Sequence, residues 1–277
     1  MTISSRRIRK IYKSLDKEQI QLVIDKKIEG THDVQHWLEK LRKLAVMDSL
    51  GDDSRKKSAE LSVIFGLIAA FTILLTITKP FLFFFPLGFT LLFLYFLIMY
   101  LTLNKIDIGN NLRNFIVPLL EHFMEKDRIE GPVYLKMDFS NPGTGIKRGS
   151  ELRNQDNIIS HYWMDGKMGL TDKVIIRWKI KDTIPNAGRI GQWKIKNRDT
   201  ANKSLVQHEL VMDFLIPKKS FYIEKKDVEV NETGEYFTFQ LKTTDTSGSL
   251  EEGMAPGTFL DTFSTGYQYL RKKEVQT

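Results

Sequence analysis

The stretch LSVIFGLIAAFTILLTIT (residues 61–78), followed by Lys79-Pro80 and then FLFFFPLGFTLLFLYFLIMYLTLN (residues 81–104), decides how this chain is read. No side chain from Leu61 to Thr78 is charged, and the same holds from Pro80 to Asn104. At about 1.5 Å of rise per residue the two runs reach roughly 27 and 37 Å, against a hydrocarbon core of about 30 Å. The core helix of a soluble protein needs no such length. Two transmembrane helices are therefore expected, at about 60–78 and 81–103. Between them Lys79 suits the headgroup level and Pro80 disfavours helix at the residue before it, so the spans should form a tight antiparallel hairpin.

Orientation follows from the basic residues that flank the runs. Arg42, Lys43, Arg55, Lys56 and Lys57 precede the first span, Lys79 is alone in the turn, and Lys105 and Arg113 follow the second. The positive-inside rule then puts both termini in the cytoplasm, as in a two-pass protein of a bacterial inner membrane or a plasma membrane. The formal charge of +7 is concentrated in residues 1–58, which carry 14 basic and 9 acidic side chains. There is no cysteine, which excludes disulfides and thiolate chemistry.

Outward from the hairpin, residues 1–58 read as a cytoplasmic helical segment. Ile20, Val23, Ile24 and Ile28 recur at helical spacing, Gly30 is placed to stop that helix, and Thr31 to cap the next, which carries Val34, Trp37, Leu38 and Leu41. The basic start, Arg6 to Lys13, is amphipathic enough to lie on anionic headgroups. Residues 105–130 form an amphipathic connector with Leu112, Phe115, Ile116, Leu119, Leu120 and Phe123 on one face, Pro118 at a kink, and Gly131-Pro132 as its end. From 131 to 245 the period is two. Val174, Ile176, Trp178 and Ile180 alternate with Arg177, Lys179 and Lys181, and Leu210, Met212 and Phe214 alternate with Glu209 and Asp213. That pattern predicts six to eight half-buried antiparallel strands in a sandwich or partly open barrel, with Asp165-Gly166 as a hairpin turn. A loop and a C-terminal helix carrying Phe259, Leu260, Phe263 and Tyr267 close the chain over 246–277.

Candidate sites are few. Arg177-Trp178-Lys179-Ile180-Lys181 and Gln192-Trp193-Lys194-Ile195-Lys196 are near copies. On neighbouring strands they would place Arg177, Lys179, Lys181, Lys194, Lys196 and Arg198 on one face, suited to anionic headgroups. Nucleic acid is disfavoured, because residues 104–277 carry a net charge of only +2. Ser62, Gly66 and Ala70, four apart in the first span, make a small-residue stripe suited to helix packing or to a homo-oligomer. His32 and His36 sit at a metal-ligand spacing without a third ligand. The strings Asp245-Thr246-Ser247-Gly248 and Asp261-Thr262-Phe263-Ser264 lack the spacing of an aspartyl dyad, and no nucleophile elbow or phosphate loop is present. No catalytic residue, metal or cofactor is expected. The reading is a membrane-anchored, non-enzymatic protein whose cytoplasmic β-rich domain binds a protein partner or anionic headgroups. A channel or transporter component built from the hairpin is the alternative. It is disfavoured because the spans hold no ionisable group for an ion path. A lipid-acting enzyme ranks third, for want of a nucleophile.

Overall fold

In the computed structural model, residues 3–78, 83–126, 129–140, 159–184, 206–224, 228–248 and 252–273 are described. The expected turn at Lys79-Pro80 and the second basic copy, with Lys194, Lys196 and Arg198, lie outside them. The chain divides into two compact units, residues 1–24 with 43–108, and residues 25–42 with 109–277.

The first unit holds α1 (Ile3–Lys13), α2 (Lys17–Asp25), most of α3 (Val34–Thr78) and α4 (Phe84–Ile106). A reciprocal cap opens α2: the Gln19 N–H donates to Asp16 Oδ1 at 2.7 Å, and the Asp16 N–H donates to Gln19 Oε1 at 3.0 Å. Both α3 and α4 contain a stretch long and apolar enough to cross a bilayer. They meet along a seam where Phe65 stacks on Phe96 at 5.5 Å and on Phe89 at 6.3 Å. A Cβ at Gly66 would lie 3.2 Å from the Phe93 ring, so the glycine makes room for that ring. Thr72 and Thr76 spend their hydroxyls on carbonyls of α3 itself, so neither leaves a polar group unmet. Away from the seam, Leu67, Phe71, Leu74 and Ile77 are 63–76 % exposed. At one end Arg55 holds Asp107 and, at 2.6 Å, Asp52. Burial works against the Arg55 charge, but Asp107, Asp52 and Asp48 outweigh it and raise its pKa.

The second unit is a seven-stranded antiparallel sheet in the order β1-β2-β3-β4-β5-β8-β7. Its strands are β1 (Lys27–His32), β2 (Ile129–Asp138), β3 (Ile159–Leu170), β4 (Ile175–Ile184), β5 (Val206–Pro217), β7 (Asn231–Thr233) and β8 (Tyr236–Ser247). A small ladder pairs β6 (Phe221–Ile223) with β9 (Leu270–Lys272). One face of the large sheet carries the core: Val133, Leu135, Trp163, Ile176, Trp178, Leu210, Met212 and Phe214 are buried. Helices cover that face, a π turn (Leu112–Ile116) running into α5 (Val117–Glu125), and α6 (Pro256–Gln268). Phe259 of α6 packs edge-on against Trp178 at 5.4 Å, and Phe115 against Trp163 at 5.4 Å. Trp37 donates its indole N–H to the Val133 carbonyl at 2.9 Å.

Several expectations are corrected here. Among the described residues the seven-stranded sheet is not closed into a barrel, and the apolar stripes of the connector and the C-terminal helix, rather than a second large sheet, cover its core face. Residues 27–32 are the edge strand β1, paired to β2 from Lys27 opposite Asp138 to His32 opposite Val133, so the segment 1–58 is not helical throughout. Its preceding helix stops at Asp25, with Lys26 in the left-handed region at φ 60°, and Gly30 lies within the strand. Asp165-Gly166 is inside β3. The chain instead turns at Leu170–Val174, where Lys173 takes φ 64° and its N–H donates to the Leu170 carbonyl at 2.8 Å. Gly131-Pro132 lies within β2, where the register to β3 shifts between Glu130 and Tyr134. Pro118 has no N–H for the carbonyl one turn back, and the turn before it widens so that Val117 N–H bonds the Leu112 carbonyl. The C-terminal helix stops at Gln268, and Leu270–Lys272 form β9.

Candidate functional site

Core-facing positions of a strand ordinarily hold apolar side chains, and a polar group placed there must find a partner. On β4 the inward row Ile176, Trp178, Ile180, Ile184 is interrupted by Asp182, which is 2 % exposed. On β5 the row Val206, Leu210, Met212, Phe214 is interrupted by His208, which is 0 % exposed. Asp182 and His208 stand directly opposite each other in the β4–β5 ladder. On β8 the last inward residue is Ser247, half-buried beside Val206 in the ladder to β5.

These three side chains form one hydrogen-bonded chain. Asp182 Oδ1 lies 2.7 Å from His208 Nδ1, and His208 Nε2 lies 2.8 Å from Ser247 Oγ. The indole N–H of Trp163 donates to the same Asp182 oxygen at 3.0 Å. That oxygen is thus an acceptor, so Nδ1 carries the imidazole proton in the neutral ring. Nε2 is then the lone-pair nitrogen, and the Ser247 hydroxyl donates to it. Just beyond the serine, the Gly248 N–H donates to Glu252 Oε2 at 2.7 Å, and Glu252 is itself exposed. On the same face Asp245 Oδ2 accepts from the Thr258 hydroxyl at 3.1 Å and from the Ala255 N–H at 3.4 Å, tying β8 to the start of α6. The chain links β3, β4, β5 and β8, and it has the connectivity of a general base poised on a hydroxyl.

Sequence reading passed over this site. Asp182, His208 and Ser247 stand 26 and 39 residues apart in the chain, too far to read as one motif. The one local signal was polarity at core parity: Asp182 and His208 each continue an apolar alternating row.

Of the expected basic face, Arg177, Lys179 and Lys181 lie on β4 between β3 and β5, while Lys194, Lys196 and Arg198 lie outside the described residues. The three described members do share the open face, each opposite an acid. Lys181 pairs with Glu209 at 3.1 Å, Lys179 with Asp165 at 3.9 Å, and Arg177 stands across from Asp213. Farther along, Lys27 holds Asp138 at 2.8 Å and Lys136 holds Glu29 at 2.9 Å, and Lys242 joins Glu209 at 2.7 Å. The hydrogen bond from Lys136, with that from Tyr134, keeps the Glu29 carboxyl below its ordinary range. Burial pushes Asp138 up, but Lys27 and Ser140 outweigh it and hold it low. The face is a lattice of alternating sign.

Of the small-residue stripe, Ser62 is buried and Gly66 faces Phe93, but Ala70 is exposed and Ala69 is buried instead. Steps of four residues overshoot a helical turn by about 40° each, so a third member drifts off the seam that a three-residue step keeps. His32 lies on β1, not on a helix, and its ring sits 4.5 Å from that of His36. Among the described residues no group of three or more histidines and carboxylates is placed to hold a metal ion. A cleft of about 350 Å³ opens between α5, α6 and β3, floored by Phe123, Met168 and Leu170. A shallower one of about 580 Å³ lies on the open face over β1, β2 and β3.

Comparison with known proteins finds no matching family model, no matching curated protein and no matching solved structure, so this site is read from its own chemistry.

Proposed function

We propose that this is a two-pass membrane protein, both termini cytoplasmic, whose α+β unit binds a protein partner on the open face of its sheet. The observation that carries the anchor is the exposed apolar surface of α3 and α4. Val63, Leu67, Phe71, Leu74, Ile77, Phe84, Leu91 and Ile98 are each at least 60 % exposed. Water would have to solvate all of them, whereas a bilayer covers them at no such cost. The basic residues that flank the runs support the orientation.

For the open face, a protein is favoured over anionic headgroups because its cations already pair with acids on neighbouring strands. A surface of alternating sign gains little from a uniformly negative bilayer, and it can match the charge pattern of one particular partner. The channel reading gains no support: the α3–α4 seam is filled by Phe65, Phe89, Phe93 and Phe96 rather than by polar groups.

Alkaline carbonate washing of membranes tests the anchor. The full chain should stay in the pellet and leave only with detergent, and release into the supernatant would overturn the reading. With no native cysteine, one introduced at Lys179 reports on the face. In vesicles of neutral and of anionic lipid its alkylation rates should agree, and protection in anionic vesicles at low salt would replace the protein partner with headgroups. A photo-cross-linker at the same position in cells should give a discrete protein adduct, and its absence would count against the docking face.

A further inference from the structure

The hydrogen-bonded chain on β4, β5 and β8 supports more than cross-linking of strands. We propose that Ser247 is an acylatable nucleophile, with His208 as its general base and Asp182 as the orienting carboxylate, so that the second unit hydrolyses short-chain carboxylic esters. This goes beyond the partner-binding reading and does not depend on it.

Three observations carry it. The first is direction: the carboxylate sits on Nδ1 and the hydroxyl on Nε2, at 2.7 and 2.8 Å. A histidine so held has its lone pair aimed at the hydroxyl proton, as nucleophilic catalysis by serine requires. A purely structural histidine would be satisfied equally well with those partners exchanged.

The second is the gradient of burial. Asp182 and His208 are at most 2 % exposed, which excludes water from the base and its orienting group, while Ser247 at the end of β8 is only half-buried. Trp163 adds a hydrogen bond to Asp182 at 3.0 Å and acts as a positioning residue.

The third is the backbone N–H that follows the nucleophile. Gly248 N–H donates to the Glu252 carboxylate at 2.7 Å. A donor immediately after the serine is where an oxyanion of the tetrahedral adduct would be received. Glu252 therefore stands in for that oxyanion, and being exposed it can swing into water and leave the donor to a substrate. In this resting state the site is self-blocked.

The chemistry balances without redox. Ser247 Oγ bonds the ester carbonyl carbon while its proton passes to His208 Nε2. The carbon–alkoxy bond then breaks, and the departing oxygen takes that proton to leave as the alcohol. Water attacks the acyl-serine, giving one proton to Nε2. The acyl–Oγ bond breaks as that proton returns to Ser247, releasing a carboxylic acid.

The test uses the full chain in detergent micelles with a fluorophosphonate probe, followed by peptide mass spectrometry. A single adduct on Ser247 is expected, absent in Ser247→Ala. Removing the base by His208→Gln, with the fold verified by near-ultraviolet dichroism, should slow labelling at least about 100-fold. Freeing the donor by Glu252→Ala should raise the labelling rate several-fold, with p-nitrophenyl acetate hydrolysis following the same order. No adduct on Ser247 in either the parent or Glu252→Ala, both folded, would overturn the proposal. So would labelling that survives unchanged in folded His208→Gln.

Discussion

Replacing Gly166 by alanine should destabilise the second unit although it adds only one methyl group. Gly166 lies opposite Trp178 in the β3–β4 ladder, and the indole is folded across it. A Cβ at Gly166 would fall 2.2 Å from Trp178 Cε2 and Cζ2, and 2.8 Å from Nε1. Ordinary carbon contacts are about 3.5–4.0 Å, so the ring would have to withdraw by roughly 1.3 Å or more. It has nowhere to go: Trp178 is 1 % exposed, with Phe259 at 5.4 Å and Phe123 at 6.3 Å on its other sides. Overpacking of this kind costs about 1–3 kcal/mol. The sign is informative, because glycine to alanine at an unstrained strand position otherwise stabilises by about 0.4–1 kcal/mol. Gly166 is not among the glycines with positive φ, so no backbone penalty confuses the result. For a unit of this size the midpoint of thermal unfolding should fall by roughly 3–10 °C, read by near-ultraviolet dichroism of the full chain in detergent. In a Trp178→Phe background the smaller ring clears most of the overlap, and the alanine should cost less than about 0.5 kcal/mol. An alanine variant as stable as the parent, or an equal penalty in both backgrounds, would refute the steric account.

Two further outcomes are expected. The hydrogen bond from Lys242, joined by Lys181 and outweighing burial, holds Glu209 below its ordinary value of 4.5. A depressed carboxylate contributes stability that is fully present above that value and lost as pH falls through the lower folded one. Glu209→Gln should therefore cost about 1 kcal/mol or less at neutral pH and nothing once the parent's carboxylate is protonated, as parallel denaturant titrations across the acid range will show. In the first unit, Gly66→Leu has no room beside Phe93, whose ring is already 3.2 Å from the first added carbon. It should lower the detergent-unfolding midpoint, and Phe93→Ala should restore at least part of the loss; a null effect of the leucine would show that the seam does not hold α3 to α4.

Much of the architecture was legible from local pattern. Runs of uncharged residues at 61–78 and 80–104 give long apolar helices wherever they occur, because length and hydropathy are properties of the segment alone. Period-two alternation likewise told which side of β4 is buried, since the pleat sends Ile176, Trp178 and Ile180 one way and Arg177, Lys179 and Lys181 the other. Turn propensity misled at Asp165-Gly166 because the glycine there answers to a ring on the next strand, not to its own backbone.

What the sequence by itself determined, then, is the set of elements and the inward parity of the strands. Only the tertiary structure decided which strands are neighbours, that β1 joins β2 across more than a hundred residues, and that helices rather than a second sheet cover the core. The same step set Lys179 and Lys181 beside acids on the neighbouring strands and brought Asp182, His208 and Ser247 into one chain. The physical reason is range. Periodicity is set by residues two to four apart, whereas a hydrogen bond between Asp182 and His208, or between His208 and Ser247, joins positions 26 or 39 residues apart, and strand order and register set it.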